Sequence, residues 1–182
     1  MAVTHPAGPS LSARLSHVSA SVQPSFPHLQ GRSLAGADIA LPSGLPADRT
    51  LCLIAFKQWH QACVDRWIGR AEAAGVPGSP MDVQPGADTC VVEIPVIGTQ
   101  WKIGRRFIDG GMATSIRVPR ILARTITVYT DVGAFQRALD IAGSDEVHAM
   151  VVTRNGDVLA RASGDPTDKA LAELLDVLES PG

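Results

Sequence analysis

No Cys-x-x-Cys pair occurs in this 182-residue sequence, whose three cysteines, Cys52, Cys63 and Cys90, are odd in number and widely spaced. That pattern argues against a disulfide framework or a zinc site and suits a reducing compartment. Long apolar runs are missing too. Those near Leu51, Val91 and Ala149 fall well short of the roughly eighteen residues a bilayer span needs, so no membrane span is expected. Neither sign of charge dominates: 16 Lys and Arg against 18 Asp and Glu leave a net charge of −2. With 45% hydrophobic and 19% charged residues the composition is that of a globular protein with no evident polyanion partner. Aromatic residues make up only 4% and do not interleave with basic ones, so nucleic acid is not an expected partner. Walker, HExxH, GxSxG and GxGxxG patterns are all lacking, and neither a cofactor nor a metal is expected.

Acidic residues are also missing at the N-terminus, where none precedes Asp38. The stretch is rich in Ser, Ala and Pro. Its composition resembles that of a transit peptide, but Arg14 and Arg32 are few, and Pro6, Pro9, Pro24 and Pro27 interrupt any long helix. Residues 1–32 are read as a disordered tail and 33–179 as one domain. No apolar core long enough for a secretory signal is present. The expected address is the cytoplasm, or an organelle if the tail is a transit peptide.

What is present is a clear alternation of strand and helix signals. From Ser33, turn residues around Pro42 and Pro46 suit short strands and loops. "TLCLIAF" reads as a buried central strand. From Gln58 to Ala74, the residues Trp59, Cys63, Trp67, Ala71 and Ala74 recur at spacings of three and four before Gly75 and Pro77, which predicts a helix. "TCVVEIPVI" is a second apolar strand. Lys102 to Arg124 then carries Lys102, Arg105, Arg106, Arg117, Arg120 and Arg124 against the single acid Asp109, a basic insert before the fourth strand. "TITVYTD" is a β-branched strand ending in Asp131, a helix cap. "HAMVVTRNGDVLARASG" predicts a hairpin with a type I′ turn at Asn155-Gly156. Leu171, Leu174, Leu175 and Leu178 predict a last helix over Pro166 to Leu178.

Strand, helix, strand, insert, strand, helix, hairpin, helix is an α/β order that resembles the thioredoxin-like fold, a central mixed sheet flanked by helices. Two segments carry the resemblance. In "AFKQWHQACV", Trp59 matches the tryptophan of the Trp-Cys-x-x-Cys site, Cys63 matches its second cysteine, and His60 replaces the first. The hairpin matches the family's terminal strands, which puts the cis-proline position on His148. A narrower likeness is to thioredoxin-like proteins related to the mitochondrial ATP synthase assembly factor family, through Phe56, Trp67 and "VVTRNGDVLARASG". Against the peroxiredoxin pattern Pro-x-x-x-Thr/Ser-x-x-Cys, Phe56 stands at the proline position and His60 at the hydroxyl position. Both supporting groups are therefore absent.

Dithiol exchange needs a thiolate and a resolving thiol in reach, and His60 removes that partner from Cys63. Two function classes follow. In the first, the chain is a binding or assembly module without dithiol chemistry. It meets a protein partner or a small anionic ligand through Trp59, His60, His148, Arg105, Arg106 and Arg124, since arginine forks suit carboxylate, phosphate or an acidic protein. In the second, Cys63 is a reactive thiol of a thiol-dependent oxidoreductase or peroxide-reactive protein, working alone or with Cys52 or Cys90. There, the helix N-terminus and His60 three residues earlier would favour thiolate. Against this stands the packing reading, in which Cys63 is a core residue spaced with Trp59 and Trp67.

Overall fold

The computed structural model describes residues 24–85, 87–100 and 118–180. The apolar runs assemble into one seven-stranded sheet: β1 (Leu29–Ser33), β2 (Asp38–Leu41), β3 (Arg49–Ala55), β4 (Thr89–Gly98), β5 (Ile126–Thr130), β6 (His148–Thr153) and β7 (Val158–Ser163). The spatial order is β2-β1-β5-β4-β3-β6-β7. β3, β4 and β5 run parallel, and the outer pairs are antiparallel. Parallel neighbours require crossovers, which α1 (Gln61–Ala73) and α2 (Pro119–Arg124) supply. α3 (Val132–Ala138) follows β5, and α4 (Asp168–Glu179) closes the chain.

Alternation along β3 divides the core in two. Leu51 and Leu53 pack with Val64, Trp67, Ile68 and Ala71 of α1 and with Leu171, Leu174 and Leu178 of α4. Cys52 and Ile54 face the other way, toward Phe26, Phe135 and Leu139. Continuous apolar runs in β3 and β4 are thus the signature of strands covered on both sides. The expected cap at Asp131 is present, its Oδ1 accepting the Ala134 N–H at 3.0 Å. Thr167 Oγ1 does the same for Ala170 at 3.2 Å in α4.

Four boundaries differ from the sequence reading. The domain starts before Ser33: Phe26 is buried and β1 begins at Leu29, so residues 24–32 belong to the fold. Residues 1–23 lie outside the described part. The first turn of the expected helix is a 3-10 turn over Gln58–His60, and the α-helix proper begins at Gln61. The hairpin turn is not type I′, because only Gly156 has positive φ (96°). Instead Gly156 N–H bonds to the Thr153 carbonyl and Thr153 N–H to Asp157, and only the glycine takes the left-handed step. Last, the strand after the basic insert is fifth in chain order, since the β1–β2 ribbon supplies two strands of its own; the insert's residues 101–117 lie outside the described part.

Candidate functional site

β3 ends at Ala55 in the middle of the sheet and delivers Phe56 and Lys57 to its rim, where the 3-10 turn starts α1. The turn separates neighbouring side chains sharply. Trp59 is 65% exposed, whereas His60 is 2% exposed. Their rings meet edge to face at 4.4 Å, and Lys57 Nζ lies 5.3 Å from the Trp59 ring centre. Lys57 also pairs with Asp145 in the loop before β6.

His60 points inward. Its Nδ1 accepts the Phe56 N–H at 3.3 Å, while Nε2 is buried without a hydrogen-bond partner among the described residues. Burial lowers the His60 pKa, against an opposing pull from the Asp145 backbone. A proton on Nδ1 would break the bond to Phe56, so the geometry and the burial both hold the imidazole neutral. His148 opens β6 opposite Ile54 and Ser163. Its ring stands 6.2 Å from that of Phe56, and burial lowers its pKa as well, with Glu146 opposing. His148 also lines a cleft of about 640 Å³ together with Asp140, Asp145, Glu146, Arg161 and Ser163. The cis-proline position that the resemblance placed on His148 carries no cis bond; among the described residues the cis peptide is Leu41-Pro42.

Cys63 meets a different set of groups from the one expected. Its Sγ–H donates to the Gly164 carbonyl at 3.3 Å, and Trp67 Nε1–H donates to the same oxygen at 2.9 Å. Arg66 pairs with the neighbouring Asp165. Burial first, and then Asp165, push the Cys63 pKa up to about 11, with Arg66 opposing. His60 is not among the groups acting on it, so the imidazole that was to favour thiolate faces elsewhere. At a pKa of about 11 the thiolate fraction near neutrality is on the order of one in ten thousand. Cys52 and Cys90 cannot serve as its partners. Both are fully buried, Cys52 in the core on the far side of the sheet from α1 and Cys90 on the same side of its pleat as Val92 and Ile94. Burial raises both pKa values, that of Cys90 to about 12.

Arg124 also departs from expectation. Rather than lining an anion surface it is 8% exposed, at the end of α2, donating through Nη1 to the Gly78 carbonyl at 3.4 Å. Its charge acts on Glu93, a buried carboxylate in the middle of β4. Burial raises the Glu93 pKa, while Arg124, Gln61 and Thr125 oppose that rise. Arg105 and Arg106 lie outside the described residues. Of the basic segment, Arg120 is held by Asp82 and Glu72. Glu93 was the residue that sequence reasoning passed over, though a charge inside "VVEIPVI" was the available signal. Gly164 and Asp165 were passed over too, and nothing in their spacing marks them as neighbours of Cys63.

Neither a family profile nor a curated relative matches the sequence. Solved structures do match by shape. The exposed lipoprotein thioredoxin Etrx1 of Streptococcus pneumoniae superposes with TM-score 0.53 at 11% identity, over 82% of this chain and 98% of that one. BsSco, described as a Sco-family cytochrome c oxidase assembly protein, gives 0.54 at 10%, over 86% and 94%. A thiol:disulfide interchange protein from Bacteroides sp. gives 0.52 at 14%, over 85% and 87%. The chain therefore has the thioredoxin-like fold, with a mixed sheet flanked by helices. At these identities the likeness is one of fold.

Proposed function

We propose that this thioredoxin-like chain is a binding or assembly module that engages a partner protein at the rim formed by Lys57, Trp59 and the His148 cleft, without dithiol exchange. The observation that carries the reading is the contrast at the start of α1. The aromatic side chain is presented to solvent at 65% exposure, while the only cysteine nearby donates to a carbonyl and is pushed to a pKa of about 11. Exposed tryptophan beside a lysine is the kind of group that anchors protein interfaces. Another protein of this fold, BsSco, is described as an assembly protein, which supports assembly as a use of the scaffold. The competing reading, a thiol-dependent oxidoreductase or peroxide-reactive Cys63, needs a thiolate that burial and Asp165 disfavour.

A photo-cross-linking residue at Gln58, introduced into the full chain in its native host, tests the choice. A discrete adduct that Trp59→Ala reduces at least tenfold and Cys63→Ser leaves intact is the expected result. Loss of the adduct with Cys63→Ser, or peroxide or glutathione turnover that depends on Cys63, would overturn it in favour of thiol chemistry.

A further inference from the structure

The cleft beside His148 lies between two stretches of chain, the end of β7 and the loop that joins α3 to β6. The loop is fixed in place. Ile141 and Val147 are buried at its two ends, the Ile141 N–H donates to the Gln136 carbonyl at 2.9 Å, and Gln136 Nε2 donates to Ser144 Oγ at 2.8 Å. A guest therefore meets a wall that is already ordered.

The two walls differ in charge. Asp140, Asp145 and Glu146 stand on the loop, and Arg161 stands across from them. Arg161 is turned to the wall, where its Nη1 donates to the Leu139 carbonyl at 3.0 Å. Lys57 pairs with Asp145, so the described lining stays net negative even with that lysine counted. Asp140 carries the clearest sign that the charge is wanted. It follows α3 in the left-handed region, with φ 52°, and its N–H donates to the Arg137 carbonyl, a closing position that glycine ordinarily fills. A carboxylate is disfavoured there twice, by the backbone conformation and by the negative end of the helix. What Asp140 adds over glycine is its charge on the cleft.

The cleft is continuous with the rim described above. Asp145 on its wall pairs with Lys57, whose Nζ lies 5.3 Å from the Trp59 ring centre. A segment that packs on Trp59 continues past Lys57 into the cleft. We propose that the cleft, with about 640 Å³ of room, receives a lysine or arginine side chain of the partner protein that packs on Trp59. Its cationic head meets the Asp140 and Glu146 carboxylates, and its aliphatic stem lies on Ile141 and Ala142. The inference rests on the partner reading above and adds the chemistry of the partner's segment. That chemistry is opposite in sign to the acidic partner suggested by the arginine segment, because an acidic group would be repelled by the same carboxylates.

Two readouts on the full chain test this. In the first, amide chemical shifts of the purified protein are followed as acetyl-Gly-Lys-Gly-Lys-Gly-amide or its glutamate counterpart is added. The lysine peptide is expected to shift the His148 and Ser163 amides and the glutamate peptide to leave them in place. Asp140→Gly combined with Glu146→Gln should weaken that binding at least tenfold. Glycine suits the left-handed step, so a melting temperature no lower than that of the unaltered chain will show that the loss is not one of folding. The second readout is the adduct at Gln58, which the double variant should reduce at least tenfold. Shifts from neither peptide, equal shifts from both, or unchanged affinity in the double variant would overturn the inference. So would an adduct that Trp59→Ala reduces and the double variant does not, an outcome that leaves the partner reading standing without the basic group. Loss of the adduct in the double variant but not in Trp59→Ala would do the reverse, upholding the charged cleft and removing Trp59 as the anchor.

Discussion

Along α1, Cys63, Arg66, Trp67 and Arg70 reach toward the segment after β7, while Gln61 and Asp65 act on Glu93 from the opposite flank. The first flank is secured by Cys63, Trp67 and Arg70 donating to backbone carbonyls and by ion pairs at the surface. The second buries a charge against a charge. Sequence reasoning had placed working groups on both, Cys63 on one and Arg124 on the other. The difference shows why a residue type alone does not define a site: one side of the helix holds a half-buried thiol among surface ion pairs, and the other faces two buried charged residues, Glu93 and Arg124. Burial without full solvation makes the second flank the more sensitive to change.

Removing one of those two buried charges should give the largest effect. Arg124→Met removes the positive charge but keeps the packing volume, leaving buried Glu93 without the one cation that acts on it among the described residues. A loss of about 3–5 kcal/mol is expected by urea unfolding at pH 7. Adding Glu93→Gln should recover at least half of it. The Glu93 pKa is raised, so the folded state holds its proton more readily than the unfolded chain. The stability it contributes is present below the ordinary glutamate range and lost as pH rises through the folded value. The Arg124→Met penalty should therefore shrink toward pH 4. A penalty under about 1 kcal/mol, unchanged by pH, would mean that the two charges do not depend on one another.

His60 ranks next, at the start of the helix between the flanks. His60→Ala empties a buried position and leaves the Phe56 N–H without its acceptor, for an expected loss of about 2–3 kcal/mol. Its pKa is lowered, so its contribution is present above the ordinary histidine value and lost as pH falls through the depressed folded value. The acid limb of the stability curve should flatten in His60→Ala, though not vanish, because His148 is lowered in the same sense. An acid limb identical to that of the unaltered chain would show that His60 does not titrate in this way.

Much of this fold was legible because its determinants are local. The apolar runs of β3 and β4, the leucine stripe of α4 and the Asp131 cap each follow from a few adjacent residues. The reading went wrong where a long-range partner decides. Phe26 looked like tail until Phe135 supplied a ring 5.8 Å away, in the T-shaped arrangement. Arg124 looked like surface until the segment at Gly78 and buried Glu93 supplied its surroundings. The candidate site was legible to the same extent. The "KQWHQAC" corner could be found by its place after a buried strand, but the direction of each side chain depended on the 3-10 turn and on Gly164, a hundred residues away in sequence.

The thiol flank can be sharpened through Cys63. Its raised pKa means that stability is held below about pH 9 and lost as pH rises toward about 11, where the folded thiol titrates. Cys63→Ser keeps a donor for Gly164 but does not ionise there, and it should reduce the slope of the alkaline limb by up to about 1.4 kcal/mol per pH unit. Cys52 and Cys90, raised by burial, leave a remaining slope. Iodoacetamide labelling in the Cys52→Ser/Cys90→Ser background gives the matching chemical readout. Labelling at pH 7.5 should be slower than that of glutathione and insensitive to His60→Ala; a fast reaction that His60→Ala slows would restore the reactive-thiol reading.

The smallest effect on stability should come from the residue that matters most to the proposed function. Trp59 contributes mainly its contacts with His60 and Lys57, and with 65% of it exposed, Trp59→Ala should change stability by under about 0.5 kcal/mol. If Trp59 anchors a partner, the same variant should weaken capture at the Gln58 cross-linker at least tenfold, equivalent to about 1.4 kcal/mol of binding. Lys57→Ala, which loses both the cation above the ring and the pair with Asp145, should weaken it less. A large stability loss with unchanged capture would invert that assignment, making Trp59 a lid that holds His60 in its buried position and moving the partner surface to the His148 cleft.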